Sequence, residues 1–365
     1  MAVSGTSMAP TRSNISSGLS TSTLTSVSLG IAGAAGLDTG RLRALLPQAE
    51  PTGTRHVGVA DVEVIEEFTA GFRRQDFAYG SGLVRDAAVA QVNTVLPLLD
   101  AQVPDELRPR LLLATADLAT QAGWMSFIVN QHDAARRLWM IALKVARKTN
   151  HPLSTDLTVY LLADMALQAV HLGRPDEALH LTRVGHTAAV GRFPVSVSTT
   201  SLLTNIQAQA YAAHGDAKNC DRALGQAVEY FGAIDPAAAP PWTAYLGAVG
   251  ISGGQGSAHY TLAQTGRDSR AAGRAVQLLR QAVDHYGPGY ALLRGRYLPD
   301  LTGAHALAGD IDTAVAIGHE AIDLISTLSA PLLHDRLRIL HTVLAPLQTS
   351  PGVAELRTCL AVTAA

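Results

Sequence analysis

The chain has 365 residues, 47% of them hydrophobic but only 5% aromatic, and a formal net charge of -2. That length allows one large core or two to three domains, and the near-neutral charge excludes a global electrostatic pull toward nucleic acid or acidic membranes. Two cysteines far apart in sequence, Cys220 and Cys359, give neither a disulfide framework nor a metal spacing, which fits a reducing, cytoplasmic setting.

Residues 1–55 differ from the rest. The segment Met1 to Ser28 is rich in Ser, Thr and Gly, and nothing between Ser13 and Leu37 is charged. The apolar run from Leu24 to Leu37 loosely resembles a signal-peptide core, but the stretch before it is long, hydroxyl-rich and carries one arginine, Arg12. A disordered, low-complexity segment is the expectation for 1–55. Residues 56–365 read as one helical domain. The runs VADVEVIEEFTAGFRRQ and VRDAAVAQVNTVLPLLDAQ place apolar residues at helical spacing, and another helix begins between Asp105 and Gly123.

A repeat follows. From Ala169 to Gly185 the chain reads as a helix end, a tight turn at Gly173 and a new helix opened by Pro175, Asp176 and Glu177. Equivalent turns fall at Asn130, Gly173, Gly215, Gly266 and Gly309, spaced by 43, 42, 51 and 43 residues. Five residues after each stands a small residue: Ala135, Ala178, Cys220, Ala271 and Ala314. Twelve after stand Ala142, Gly185, Ala227, Leu278 and Ala321, and seven before stand Gly123, Ala166, Ala208, His259 and Thr302. Small residues in register in both helices are what close antiparallel packing requires. The long interval holds a Pro- and Gly-rich stretch, residues 233–257, which predicts an inserted loop or a short distorted helix. Helices near Thr313–Leu328 and Pro331–Leu347, then a short one from Val353, would cap the end of the stack.

These offsets are similar to the tetratricopeptide repeat (TPR), with helices longer than its usual unit and Tyr211 where that repeat commonly places an aromatic. The predicted fold is therefore all-α, a TPR-like α-solenoid: a right-handed superhelix of antiparallel pairs, some ten to fourteen helices in all. Three runs point further: RHVGVADVEVIEEFTAGFRRQDFAYGSGLVRD, LLLATADLATQAGW and ARRLWMIALKVAR. Together they resemble the C-terminal half of XRE-type (helix-turn-helix) transcriptional regulators of filamentous actinobacteria, over roughly residues 55–350. The resemblance implies a TPR-like half that senses a signal or pairs with a partner, in control of development and secondary metabolism. The family's DNA-binding half has no counterpart in residues 1–55, which show neither its amphipathic helices nor a basic recognition helix. An alternative start upstream of Met1, with a helix-turn-helix in frame, would restore the full regulator.

Motifs of catalysis are weak by comparison. Gly250-Ile251-Ser252-Gly253-Gly254 matches the G-x-S-x-G elbow, but that motif works on a strand-to-helix turn, and a flexible loop between helices is expected here. A helical hydrolase using Ser252 is the enzyme alternative. His319-Glu320 opens like a zincin motif with Asp323 in place of the second His, and lacks a third ligand. His171, His180 and His186 fall on different faces and read as surface or half-buried histidines, and Arg73-Arg74 and Arg136-Arg137 read as solvated helix faces. The concave side of the stack is the better candidate. Counting back from each turn gives the lining as Trp124, Phe127, Tyr160, His171, Asn205, Gln209, Tyr260, Gln264 and Arg296. Core packing is the competing reading for Trp124 and Phe127. No Lys occupies these positions, so the carboxylate clamp of chaperone-binding TPR proteins is absent.

The expectation is a non-catalytic regulatory protein that binds a peptide, a small signal or a protein partner, with a second copy of the chain as a further candidate. It is expected to use no catalytic residue, cofactor or metal, and to make no direct contact with nucleic acid or membrane.

Overall fold

Alanine and leucine, the strongest helix formers, dominate the apolar content, and the chain follows them: fourteen α-helices, four short 3-10 turns and one isolated β-bridge, His56 to Gln102, make up the regular structure of the described residues. The computed structural model describes residues 56–235, 238–246, 251–266 and 269–363, so segment 1–55 lies outside it. The helices are α1 (Val59–Tyr79), α2 (Arg85–Val95), α3 (Arg108–Ile128), α4 (His132–Ala146), α5 (Ser154–His171), α6 (Pro175–Ala188) and α7 (Val197–His214). They continue as α8 (Ala217–Gly232), α9 (Ser252–Gly266), α10 (Ser269–His285), α11 (Ala291–Ala308), α12 (Ile311–Ser326), α13 (Pro331–Val343) and α14 (Pro351–Thr363). No described helix is long and apolar enough to cross a membrane.

Five antiparallel hairpins, α3/α4 to α11/α12, form the body. The left-handed turn that ends an α-helix is visible at four of the five anchors: Asn130, Gly173, Gly215 and Gly309 have φ of 60°, 67°, 83° and 87°. Gly266, the fifth, is the last residue of α9. Ala135, Ala178, Cys220 and Ala314 each occupy the fourth position of their helix, and all are fully buried. Ala271, third in α10, is buried as well. The spacing is close enough that a Cβ on Gly123 would lie 2.5 Å from the Trp139 indole, and one on Gly185 would lie 2.9 Å from Leu203. The hairpins make two layers. Helices α3, α5, α7 and α11 are buried on nearly every face, while α4, α6, α8 and α12 bury one stripe and show the other to water.

The series returns on itself. Helix α11 packs against α9 and also against α1, which in turn packs on α3. Helix α13 touches both α11 and α3, so it does more than cap the last pair. Polar contacts fix this seam. Ser329 N–H donates to the Tyr79 carbonyl at 2.9 Å, and Gly82 N–H donates to the Ser329 carbonyl at 2.9 Å. Asn130 Nδ2 donates to Asp335 at 3.0 Å, and on the late side one Arg336 nitrogen of α13 donates to both Asp300 oxygens of α11 at 2.9 Å. The sequence pattern is local and carries no sign of these long-range pairs, which is why the seam was not expected.

Gly80 sits at the seam with φ 82°, and a Cβ there would lie 2.7 Å from the Ser329 carbonyl oxygen. Gly80→Ala adds both strain and a backbone clash, so thermal unfolding should drop by roughly 4 °C or more. Gly225→Ala, in the exposed and open middle of α8, should leave Tm unchanged or slightly raised. Equal effects of the two substitutions in a calorimetric scan would argue against a tight seam.

Candidate functional site

The inner helices leave a cavity of ≈ 40 Å³ at their centre. Every inner element contributes. Arg73 and Phe77 come from α1, Gln121 and Trp124 from α3, Tyr160, Asp164 and Leu167 from α5, and Leu202, Asn205, Ile206 and Gln209 from α7. Tyr245 and Leu246 come from a 3-10 turn (Ala244–Leu246), Gly254 from α9, and Leu293, Arg296 and Tyr297 from α11.

The long repeat interval explains how Tyr245 arrives there. Trp242 is buried and its Nε1 donates to Asp156 Oδ1 at 2.7 Å, while Thr199 Oγ1 donates to the same oxygen at 2.7 Å. This anchor pins the inserted stretch between α5 and α7 and turns Tyr245 inward. The glycine-rich run after it is not the expected flexible loop: Ser252 onward is the first turn of α9. Glycine is required there because neighbours come close. A Cβ on Gly253 would lie 2.4 Å from the Tyr297 ring, and one on Gly254 would lie 2.3 Å from Asn205 Nδ2. Each glycine weakens a helix by about 1 kcal/mol, and close approach of the cavity wall is what it allows.

Four residues of the cavity lining carry polar atoms without partners. Gln121 Nε2, Asp164 Oδ2, Asn205 Oδ1 and Arg296 Nε are buried and make no hydrogen bond, although their residues are only 6%, 3%, 2% and 9% exposed. Burial pushes the Asp164 carboxyl well above the usual carboxylate range, partly opposed by Arg296 and Arg73. Burial also lowers the Arg296 guanidinium from its ordinary value. The phenols of Tyr160 and Tyr245 are raised, again by burial first, so both stay uncharged. Arg73 is not on a solvated face as expected: it enters the cavity wall and pairs with Asp117 at 2.7 Å. Arg136 likewise pairs with Glu177 at 2.8 Å, whereas Arg74 and Arg137 are exposed.

Of the nine lining positions read from sequence, Trp124, Tyr160, Asn205, Gln209 and Arg296 meet at the cavity. The other four lie elsewhere. Phe127 and His171 form an aromatic cluster with His132 at the far end of α3, with centroids 5.5 Å and 5.8 Å from Phe127. His171 is 3.5 Å from Asp335, and burial lowers its imidazole to about 3. Tyr260 packs against Gly303 of α11, and Gln264 lies a turn beyond it on α9. Sequence reasoning missed Arg73, Phe77, Gln121, Asp164, Tyr245 and Tyr297. Asp164 carried a signal: it is an acid in the middle of the otherwise apolar run YLLADMAL, four residues from Tyr160.

The remaining motifs lead away from chemistry. Ser252 opens a helix with no strand before it among the described residues, and Gly250 lies outside them. Glu320 is paired with Arg294, and no group of three metal-ligating side chains occurs among the described residues. His180 is exposed, and His186 contacts Gln207 at 3.3 Å. Cys220 is buried and its thiol is pushed up to about 12 by burial. No protein-family model matches the chain, and no curated protein does.

Asp76 supports the cavity wall from behind. It accepts from Trp124 Nε1 at 2.9 Å and from the Ser81 hydroxyl, and burial raises its carboxyl from 3.8 to about 6. A raised folded-state value means the protonated carboxyl suits the fold. Its contribution is therefore complete below about pH 4 and is lost as pH rises through about 6. Asp76→Asn imitates the protonated form. The stability of the variant should gain on the wild type by about 1–2 kcal/mol between pH 5 and pH 7.5 in a calorimetric series, the rest of the difference having arisen below pH 5. Parallel curves would place the carboxyl at its ordinary value.

Proposed function

We propose that this chain is a non-catalytic sensor that takes a small molecule into its central cavity, in the setting of transcriptional or developmental regulation. One observation carries the reading: four residues that line the cavity, from four inner helices, each carry a buried polar atom without a partner. Leaving a buried donor or acceptor unpaired costs about 1–3 kcal/mol each, so a site retaining four is suited to water or to a ligand that satisfies them. Burial favours a small molecule over an extended peptide, because Tyr160, Asn205, Gln209 and Arg296 lie in the interior and not along an open groove. The hairpins are read as TPR-like solenoid units, wound far enough that their ends meet across the seam. A helix-bound Ser252 and uncharged tyrosines support binding in preference to hydrolysis, and the net charge of -2 supports a role away from direct contact with DNA.

The mechanism is a population shift. The cavity is walled by α1 and α3 on one side of the seam and α11 on the other, so an occupant touching both sides favours the closed arrangement by its difference in affinity between closed and open. A thermal-shift screen with small organic molecules tests this. Compounds that raise Tm should lose their effect in Asn205→Leu, while the unliganded variant stays within a few degrees of wild type. Asn205 keeps only one contact of its own, to the Ile251 carbonyl at 3.3 Å. A panel without stabilising compounds, or stabilisation indifferent to Asn205, would rule the cavity out.

A further inference from the structure

Resting on the sensor reading, the chemistry of the cavity narrows the class of molecule it takes. Two guanidinium groups belong to the wall. Arg73 is committed to Asp117. The Arg296 guanidinium makes no ion pair: no carboxylate lies within ion-pair distance of it among the described residues, and its Nε has no acceptor. The Tyr297 ring centroid is 5.8 Å from its guanidinium carbon, and Asp300 and Asp164 act on it only from beyond ion-pair distance. Gly254, in the first turn of α9, also lines the wall. The one acid on the wall, Asp164, makes no hydrogen bond through Oδ2, and its burial favours the uncharged carboxyl. A buried cation without a counter-ion is among the most expensive groups a protein can keep.

Shape and the remaining wall decide which anion. The guanidinium fork matches a planar oxyanion with two coplanar oxygens. One unpaired charge calls for a monoanion, so a phosphate dianion is over-charged for the site. Leu167, Leu202, Ile206 and Leu293 supply apolar wall, which a bare inorganic ion would leave unused. The cavity admits only a few heavy atoms. We infer that the cavity binds a short-chain monocarboxylate, its carboxylate paired with Arg296 and its carbon chain against the leucines and Ile206.

The test uses the whole chain, with propionate, its neutral isostere propionamide and nitrate (a planar monoanion without a chain) at matched ionic strength. Titration calorimetry and Tm should both respond to propionate, with propionamide and nitrate at least about tenfold weaker, as the loss of a charge-assisted pair or of the buried chain implies. Arg296→Met should weaken propionate by about tenfold or more and Arg296→Lys by less, since it keeps the charge and loses the fork. Should Arg296→Met fail to fold, the comparison of the three probes in the wild type decides the matter alone. Propionamide binding as tightly as propionate, and lost in Asn205→Leu, would overturn the carboxylate assignment and leave the sensor reading standing. Nitrate equal to propionate would reduce the site to a plain anion hole and likewise overturn it. No response to any probe would overturn it too, and only an empty small-molecule screen beside it would remove the sensor reading.

Discussion

How closely two helix backbones approach governs the rest of this molecule. Where Gly123 faces Trp139 and Gly185 faces Leu203, there is no room for a Cβ without moving a large side chain. Those contacts draw the outer helices onto the inner ones and bury the inner helices on all sides. Helices so enclosed are under pressure to be apolar; α5 follows this from Leu157 to Ala169 with few exceptions, whereas α7 buries Ser198, Thr199, Ser201, Thr204, Asn205 and Gln209. The same density leaves a small void at the centre. Most of the buried hydroxyls of α7 find partners close by, and Asp164, Asn205 and Arg296 stand out because each keeps a polar atom without one.

The energetics divide the interior polar groups into two kinds. Asp156 is fully employed: it accepts from Trp242, from Thr199 and from the Ser196 backbone, and it fastens an insertion to the body. Asp300 is employed in the same way by Arg336 of α13 and by the Ser257 hydroxyl of α9. Such groups offset their desolvation with several charge-assisted bonds. Asp164 and Arg296 have no such set, although they share a cavity. Structural need explains the first pair of acids and leaves the second pair unexplained, which is why a ligand is the economical reading.

Local rules were legible in the sequence and long-range ones were not. The turns at Asn130, Gly173, Gly215 and Gly309 could be placed because left-handed backbone demands glycine or asparagine, and the buried small residues could be placed because they keep step with those turns. Counting from the turns also found Trp124, Tyr160, Asn205, Gln209 and Arg296, all on the inner face. It misplaced Phe127, His171, Tyr260 and Gln264 because a count gives angle around a helix and not height along the ring's axis. Tyr245 could not be found at all. Its position depends on Trp242 reaching Asp156, 86 residues away in sequence. Arg73 escaped for a similar reason, since its burial is decided by Asp117 on another helix, 44 residues on.

Closure also gives the cavity leverage that an open stack would lack. In a linear array each hairpin answers only to its neighbours, so a ligand at one point changes curvature by small local increments. Here Phe77 of α1 touches Tyr245 of the insertion at 5.2 Å and Tyr290, just before α11, at 5.4 Å between ring centroids. Early and late parts of the chain thus share one aromatic wall beside the cavity. The backbone bonds of Ser329 with Tyr79 and Gly82 continue the same seam. An occupant of the cavity would therefore touch residues from both sides of these contacts. On the sensor reading proposed above, the seam is the place where a ligand's preference for one arrangement would be felt.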